Sequence, residues 1–375
     1  MLSLREPPAT ELSQRRRVDD LALRMIYGWE AGASELAISK PWTPAADRDP
    51  MLLPDPLLGV FSEVAHRLAG RRALGRLPLG DGLEAIIFDG PGPLASPDGG
   101  AEEGGGMIAA WNRFAPPDEA VLHMYLGPAP TVTDVWGNRR GLPITDGKHR
   151  VPLSAAPLFI EGIDARLALF RASFRLDPPF IESTQAPHVR ALTFTNPWPR
   201  TISGTVLVRE PASWRVSPRR VPFSVAAGQT TSIPIELAFP VSEVAGTKTL
   251  VARFSFTAER EYKIDLTAPM KLGLHGIDFD ANLTVTKAPA GADAVVTMLI
   301  GNTGPEPVAL HAFANLPGYP RQERLIPRLE PGESVVRQFR FAHAADLLKD
   351  QNVRVGLRET NGPAVLNQVL SVDPR

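Results

Sequence analysis

The sequence of 375 residues contains no cysteine. Disulfide bonds, zinc sites built on thiolates and cysteine nucleophiles are therefore excluded. An excess of charge of one sign is also lacking, because 40 Lys and Arg residues face 41 Asp and Glu residues and the formal net charge is -1. Nucleic-acid binding needs a strongly basic face. We therefore expect no nucleic-acid partner.

Long apolar runs are missing as well. No stretch reaches the roughly 18 apolar residues that a membrane span needs, and the first 20 residues lack the apolar core of roughly 7–15 residues that marks a signal peptide. The seven histidines are scattered without the spacing of metal ligands. The sequence thus predicts no membrane span, no metal site and no cofactor.

Turn-forming residues and apolar residues are abundant. The chain has 38 prolines and 31 glycines, and 43% of its residues are hydrophobic. This composition is typical of β-sandwiches whose short strands are joined by many turns. The length predicts roughly two to four domains. We expect a mainly β protein of tandem β-sandwich and Ig-like domains, preceded by an α/β segment.

Residues 1–75 have helical rather than strand periodicity. Apolar residues at three- and four-residue steps predict a helix over residues 11–27 that ends at Gly28. A strand is predicted at residues 35–38 and a second amphipathic helix at residues 57–74. The apolar positions of the first helix are Leu12, Val18, Leu21, Ala22, Met25 and Ile26.

This order of elements resembles the last unit of a (β/α)₈ barrel. A whole barrel needs roughly 250 residues, so the resemblance implies that the other strands lie upstream of Met1 or in a partner chain. Residues 1–75 would expose an apolar helix face on their own. We expect them to be mobile or to pack on the domain that follows.

Residues 131–164 carry the most specific pattern. Asp134 and Trp136 precede a turn at Gly137-Asn138, an Asp146-Gly147 turn follows, and a strand ends in the sequence PLFIEG. Alternating apolar residues bounded by such turns predict β-hairpins. We expect Asp134 to accept hydrogen bonds from backbone amides of its turn.

The same stretch resembles the terminal β-sandwich that follows the (β/α)₈ barrel in many bacterial glycoside hydrolases. The shared motifs are a D-hydrophobic-x-G-N turn and a closing strand P-x-F/Y-I/V-E-G. The resemblance implies a β-sandwich over residues 76–166 near sugar chemistry, and it places no catalytic residue there.

Residues 167–272 show short strands with frequent turns, which is typical of an Ig-like sandwich. The segments 192–196, 204–208, 211–214 and 227–235 resemble the Ig-like domain associated with bacterial alpha-galactosidases. Residues 273–375 repeat this layout at an offset of about 105 residues, which indicates an internal duplication. In this repeat Asn302 takes the place of Asn196, and the P-x-x-W element is absent.

Glycoside hydrolysis needs two carboxylates on either side of the scissile bond. No residue matches either role, so no catalytic residue is assigned. The end of the strand at residues 35–38 would face an active site in a barrel. The candidate substrate-binding residues are Trp42, Lys40, Trp29 and Glu30.

Each of these candidates has a structural alternative. A tryptophan such as Trp42 can stack on a sugar ring, but it can equally pack on the neighbouring sandwich. Lys40 fits a solvent-exposed role as well as a substrate clamp. Glu30 has no second carboxylate that the sequence places beside it.

Three functions remain open at this stage. The first is a non-catalytic accessory region of a carbohydrate-active protein, which spaces or docks a catalytic barrel upstream or in a partner. The second is a carbohydrate-binding or adhesive protein, whose Trp136, Trp198 and Trp214 should be exposed and coplanar rather than buried. The third is a glycosidase complete in itself. A polysaccharide or glycoside is the expected ligand, and the setting is a bacterial cell envelope or its exterior if a longer exported protein contains the chain.

Overall fold

The computed structural model describes residues 2–4, 13–38, 42–44, 52–79, 82–89, 105–113, 120–209, 211, 213–288, 291–344, 348 and 351–371. This part of the chain is mainly β, and it confirms the predicted class of tandem β-sandwiches with an N-terminal α/β segment. The chain divides into two compact units. Unit 1 is Met1–Phe174, Phe194–Ile202 and Val225–Thr230, and unit 2 is Arg175–Thr193, Ser203–Ser224 and Thr231–Arg375.

The elements up to residue 174 belong to unit 1. They are β1 (Leu2–Leu4), α1 (Gln14–Glu30), β2 (Leu36–Ile38), β3 (Trp42–Pro44), β4 (Leu52–Pro54), α2 (Pro56–Leu68), β5 (Ala73–Arg76), β6 (Leu83–Phe88), β7 (Gly106–Asn112), β8 (Val121–Met124), β9 (Thr131–Thr133), β10 (Arg139–Gly141), β11 (Ile144–Thr145), β12 (Lys148–Pro152), β13 (Leu158–Ile163) and α3 (Ala165–Ser173).

Helix α1 ends three residues later than the sequence predicts. The Ser13 side chain caps its N-terminus, and the predicted apolar face is buried from Val18 to Ile26. The helix continues past Gly28 to Glu30, and the amide of Ala31 still donates to the carbonyl of Tyr27 over 2.9 Å. The predicted end at Gly28 is wrong, because a single glycine costs a helix only about 1 kcal/mol and the packed apolar face offsets this.

Helix α2 is shorter than predicted. Asp55 caps it by accepting a hydrogen bond from the amide of Leu57, and Pro56 occupies the first turn, where its missing N–H costs nothing. The helix ends at Leu68 instead of residue 74, because Gly70 takes a left-handed φ of 72° and redirects the chain. Residues 73–76 then pair with β6 as β5.

Unit 1 is built in three layers around a six-stranded sheet of order β10-β9-β13-β7-β6-β5. Helices α1 and α2 cover one face, so the α/β segment packs on the sheet that follows it. The three-stranded sheet β11-β12-β8 and α3 cover the other face. Strand β1 precedes α1 in the sequence and β2 follows it, and the two strands pair in parallel.

Strand β13 contributes side chains to both cores. Phe159 belongs to the core beneath the helices, whereas Ile160 and Ile163 belong to the opposite core. Strict alternation would place Ile160 and Ile163 on different faces. A bulge between Glu161 and Ile163 inserts one residue, Gly162, which has a φ of 71°. Ile163 therefore lies on the same face as Ile160.

The Asp146-Gly147 turn forms the predicted hairpin between β11 and β12. Asp146 and Gly147 have φ angles of 52° and 73°, and Thr145 pairs directly with Lys148. Two successive positive φ angles in a two-residue loop define a type I′ turn. The Gly137-Asn138 turn lies in a different hairpin, between β9 and β10 of the six-stranded sheet.

From residue 175 onward the chain is β throughout its described part. The strands are β14 (Arg175–Asp177), β15 (Phe180–Glu182), β16 (His188–Thr195), β17 (Ile202–Arg209), β18 (Arg215–Ser217), β19 (Arg220–Val225), β20 (Thr230–Ala238), β21 (Gly246–Thr257), β22 (Glu261–Gly273), β23 (Ile277–Ala288), β24 (Gly291–Asn302), β25 (Val308–Asn315), β26 (Gln322–Leu329), β27 (Ser334–Phe341), β28 (Val353–Glu359) and β29 (Val365–Leu370).

These strands form two successive sandwiches. The sheets of the first have the orders β14-β16-β20-β18 and β15-β22-β21-β17-β19, and those of the second have the orders β23-β24-β27 and β26-β25-β28-β29. Burial alternates along β21 and β22, as a strand with one core face requires. Each sandwich turns at a buried asparagine, Asn196 or Asn302, which supports the predicted duplication. The predicted boundaries at residues 75, 166 and 272 stay predictions.

Strand β29 is clamped at two points within unit 2. The Ser183 amide donates to the Gly273 carbonyl, the Ser183 hydroxyl donates to the Val365 carbonyl over 2.6 Å, and the Val365 amide donates back to Ser183 over 2.8 Å. Asn367 makes the second clamp: its side-chain amide donates to the Val241 carbonyl, and its carbonyl accepts from the Ala245 amide. The two sandwiches of unit 2 are therefore joined by hydrogen bonds at both points.

None of the helices in the described residues is long and apolar enough to cross a bilayer.

Candidate functional site

Trp29 lies in the last turn of α1 and is already engaged by the protein. Its indole Nε1 donates to the Arg71 carbonyl over 2.7 Å. The ring lines a cavity of 360 Å³, and mostly small or apolar residues surround it: Ser34, Glu35, Leu36, Ala37, Ala65, Leu68 and Ala69. The indole N–H is thus not available to a ligand in this arrangement.

Glu30 follows Trp29 but is committed to an ion pair. Both of its carboxylate oxygens accept from Arg76, over 2.6 Å each. Arg76 also donates to Glu84 and lies over the Tyr27 ring, and the hydrogen bond with Glu30 raises the pKa of Arg76. Both oxygens of Glu30 are therefore engaged by Arg76 and do not face a ligand.

The other two predicted residues give no site geometry. Lys40 lies outside the described residues, so its role stays a prediction. Trp42 begins strand β3, where it pairs with Pro54 of β4, and its side chain lies outside what the structure describes. Of the four candidates, only Trp29 and Glu30 can be placed, and they bind different partners.

The glutamate of the PLFIEG motif has a structural role. Glu161 is buried, and its two oxygens accept from Arg67 over 2.5 Å and from Arg71 over 3.1 Å. Arg67 donates further to Glu63, and Arg71 to the Gly105 carbonyl. Burial lowers the pKa of Arg71, while Glu161 opposes that shift. The network ties α2 to β13 and occupies the carboxylate.

A second cavity, of 640 Å³, opens beside Trp136, and we call it the Trp136 cleft. It is formed by the first turns of α1, the turn after β9 and the segment that connects β12 with β13. Its lining residues are Gln14, Arg15, Val18, Asp19, Asp134, Val135, Trp136, Ser154, Ala156 and Leu158. All of them belong to unit 1.

Trp136 is presented by a rigid turn. Asp134 Oδ1 accepts from the amides of Trp136 and Asn138, over 2.8 and 2.9 Å, and Oδ2 accepts from the Asn138 side chain. This is the role predicted for Asp134. Gly137 completes the turn with a φ of 86°. The indole is 53% exposed, although Val135 beside it is buried.

The charged groups of the cleft are Arg15, Asp19 and Asp134, and Asp134 is already hydrogen-bonded within its turn. Burial raises the pKa of Asp19, and the positive charge of Arg15 opposes this shift. Arg15 is exposed at the first turn of α1, whereas Asp19 is half-buried. The cleft therefore offers one guanidinium and one carboxylate, since the oxygens of Asp134 are used by its turn.

The other tryptophans do not form an exposed row with Trp136. Trp198 is 1% exposed and lies beside Phe170, and Trp214 is 3% exposed and packs on Phe239. Among the described residues, Trp136 is the only exposed Phe, Trp or Tyr. A row of binding aromatics would require Trp136, Trp198 and Trp214 all to be exposed and coplanar. Two of the three are buried, so they do not form such a row.

Sequence reasoning missed most of the Trp136 cleft. Gln14, Arg15 and Asp19 belong to a predicted helix whose approach to the turn of Trp136 no local pattern shows. Only the Asp-Val-Trp-Gly-Asn turn signalled that an aromatic side chain could stand clear of a core. Among the described residues, no group of three or more His, Cys, Asp or Glu side chains could hold a metal ion.

No protein-family model and no curated protein matches the sequence. Solved structures show distant similarity. A protein of unknown function from Porphyromonas gingivalis W83 is 12% identical over 53% of this chain and 96% of its own, with a TM-score of 0.22. The YadV chaperone is 10% identical over 53% and 100%, with a TM-score of 0.20.

The secreted serine protease VesC from Vibrio cholerae is 12% identical over 72% of this chain and 63% of its own, with a TM-score of 0.24. Similarity at this level carries no argument about function.

Proposed function

We propose that the chain is a non-catalytic accessory region of a carbohydrate-active protein, in which it spaces or docks a glycoside-hydrolase-like barrel located elsewhere. The observation that carries the proposal is the double clamp on β29 in unit 2. A spacer needs a fixed geometry between its modules, and Ser183 and Asn367 supply hydrogen bonds at two points of one strand.

The energetics of the clamp favour a stiff junction. Asn367 is 5% exposed and Ser183 is 4% exposed, so breaking their bonds would leave buried polar groups unsatisfied. Each such group costs about 1–3 kcal/mol. Glu243 fixes the loop that Asn367 grips, because it accepts from Lys248 and from Ser213. Opening the junction therefore requires several bonds to break together.

The carboxylates that could serve catalysis also support a non-catalytic role. Glu30, Glu161 and Asp134 each use both of their oxygens to accept hydrogen bonds within the protein. Among the described residues that line the Trp136 cleft, no carboxylate with an unoccupied oxygen accompanies Asp19. A glycosidase needs two such groups.

The stiffness of the junction can be measured directly. Because the chain has no cysteine, Val189→Cys and Leu325→Cys introduce two unique labelling sites, both exposed, one in each sandwich of unit 2. Pulsed electron resonance should give one narrow distance distribution. Adding Ser183→Ala and Asn367→Ala should broaden it, whereas the control Ser203→Ala, an exposed hydroxyl paired with Ser224, should leave it unchanged.

Two results would contradict the proposal. The first is a broad distribution in the labelled parent, which would mean that unit 2 is no spacer. The second is turnover of any aryl glycoside in a panel by the intact chain, with a rate that survives further purification.

A further inference from the structure

We propose that the Trp136 cleft binds one pyranose ring of a neutral saccharide, with the ring stacked on the indole of Trp136. This inference rests on the proposed function for its carbohydrate context, but its site is derived from the cleft itself. The cleft combines an exposed aromatic platform, an apolar floor and a polar rim within one cavity of 640 Å³. That volume lies within the range of roughly 300–1,000 Å³ that is usual for small-ligand sites.

The aromatic platform is the first element of the argument. A tryptophan left 53% exposed keeps a large apolar surface in contact with water, and covering that surface is favourable by about 25 cal/mol per Å². A pyranose has one face made of C–H groups and a periphery of hydroxyls. Its C–H face can cover the indole while its hydroxyls remain directed at polar groups.

The surrounding residues match such an amphipathic ligand. Val18 and Val135 are buried beside the cleft and give it an apolar floor. Gln14, Arg15 and Ser154 add hydrogen-bonding groups at the rim. Donors and acceptors are both present, as the mixed donor and acceptor character of a hydroxyl requires.

Charge decides between neutral and acidic ligands. Arg15, Asp19 and Asp134 place one positive and two negative groups on the lining of the cleft, so the cleft has no excess of positive charge. A uronic acid or a phosphorylated ligand would meet the carboxylate of Asp19 as a like charge. A neutral sugar can instead donate hydroxyl protons to Asp19 and accept from Arg15.

The turn that carries Trp136 reduces the entropic cost of binding. Asp134 holds the backbone at Trp136 and Asn138 by two hydrogen bonds, and Gly137 lies next to the Glu63 side chain of α2. The platform is therefore in place before a ligand arrives. Preorganisation of this kind raises affinity because less freedom is lost on binding.

The test uses the intact chain on an array of neutral cello-, malto-, xylo-, manno- and galacto-oligosaccharides, with uronic-acid oligosaccharides and a proline-rich peptide as comparators. Titration calorimetry then measures the affinity of the best neutral oligosaccharide. Trp136→Ala should lower that affinity roughly tenfold or more, Trp136→Phe less, and Asp19→Asn by several-fold. Leu299→Ala, an equally exposed apolar side chain in unit 2, is the matched control and should have no effect.

Each outcome decides the inference. Binding of a neutral oligosaccharide that Trp136→Ala weakens and Leu299→Ala does not would support it. It would be overturned by binding that survives Trp136→Ala, by preference for the acidic sugars or the peptide, or by no binding across the array. None of these failures would contradict the proposed function, which the distance measurement on unit 2 tests separately. Hydrolysis products in the binding mixture would contradict the proposed function instead.

Discussion

Asn196 and Asn302 make equivalent hydrogen bonds in two different parts of the chain. The side-chain amide of Asn196 donates to the carbonyls of Arg200 and Val225, over 2.8 and 2.9 Å. Its side-chain oxygen accepts from the amide of Trp198, two residues further on, over 2.9 Å. One buried side chain thereby closes the turn and fixes a second segment against it.

Asn302 makes hydrogen bonds of the same kind. Its amide donates to the carbonyls of Glu306 and Leu329, over 2.8 and 2.9 Å, and its oxygen accepts from the Gly304 amide over 2.9 Å. Trp198 and Gly304 hold the same place relative to the asparagine although their side chains share nothing. The similarity between the two turns thus lies in their backbone hydrogen bonds more than in their side chains.

We expect Asn302→Ala to lower the free energy of unfolding of its sandwich by about 1–3 kcal/mol, since the buried Leu329 carbonyl loses its donor at about that cost. Hydrogen exchange of β23 and β24, followed by mass spectrometry over a urea series, measures this. The exposed Asn282→Ala in β23 is the control and should change stability by less than about 0.5 kcal/mol. Equal effects of the two substitutions would contradict the assigned role.

Glu161→Gln should destabilise unit 1 by about 3–5 kcal/mol, because it removes the carboxylate that the two buried guanidinium groups of Arg67 and Arg71 share. Glu63→Gln removes a carboxylate from the same network at a more exposed position, where an ion pair contributes about 0–1 kcal/mol. Urea denaturation of both variants, followed by tryptophan fluorescence, compares them. A loss at Glu161 no larger than that at Glu63 would mean that the buried network does not hold α2 on the sheet.

Unit 2 should lose stability in acid through Glu243. Burial favours a higher pKa for Glu243, but hydrogen bonds from Lys248 and Ser213 outweigh burial and hold the pKa below its ordinary value of 4.5. A carboxyl whose pKa is depressed in the folded state stabilises that state above pH 4.5. The stabilisation is lost as the pH falls from there through the folded-state pKa.

The measurement is the thermal midpoint of unit 2 between pH 7 and pH 3. Glu243→Gln should lower the midpoint at pH 7 and make the decline in acid shallower. Glu261→Gln alters an exposed pair with Lys263 and should leave both unchanged. An acid profile of Glu243→Gln that parallels the parent profile would show that Glu243 is not the group that titrates.

Gly356→Ala should prevent the second sandwich from folding. A Cβ at Gly356 would lie 1.9 Å from the Leu366 carbonyl oxygen and 2.8 Å from the Phe313 ring, which neither backbone nor packed ring can accommodate. Gly141→Ala, in a strand with open space around it, is the control. Circular dichroism and hydrogen exchange of β25 to β29 distinguish the two, and a folded Gly356→Ala would mean that β28 and β29 can separate.

The sequence predicted the elements of the fold better than their limits. The apolar face from Val18 to Ile26 was correctly assigned because helical spacing is a local signal. The end of α1 was not, because the packing that carries the helix past Gly28 comes from distant parts of the chain. The end of α2 was missed for the opposite reason, since the positive φ of Gly70 redirects the chain before Ala73 and Leu74, whose apolar side chains had suggested a longer helix.

The candidate site shows the same limit more sharply. Trp29 and Glu30 looked available because Arg71 and Arg76, which bind them, lie more than 40 residues further along the chain. Trp136, Trp198 and Trp214 occur in similar turn-rich surroundings, yet only Trp136 is exposed. Which tryptophan faces solvent depends on what packs above its turn, and no single-sequence pattern contains that information.

The bulge at Gly162 also governs how this strand can be transplanted or aligned. Without the bulge, strict alternation through Gly162 would turn Ile163 toward Arg67 and Arg71 instead of the opposite core. The aliphatic side chain of Ile163 would then face two guanidinium groups, and the opposite core would lose one of its buried apolar side chains. A graft or a homology alignment that shifts this strand by one position after Glu161 is therefore wrong for both layers at once, however well its hydrophobic residues match.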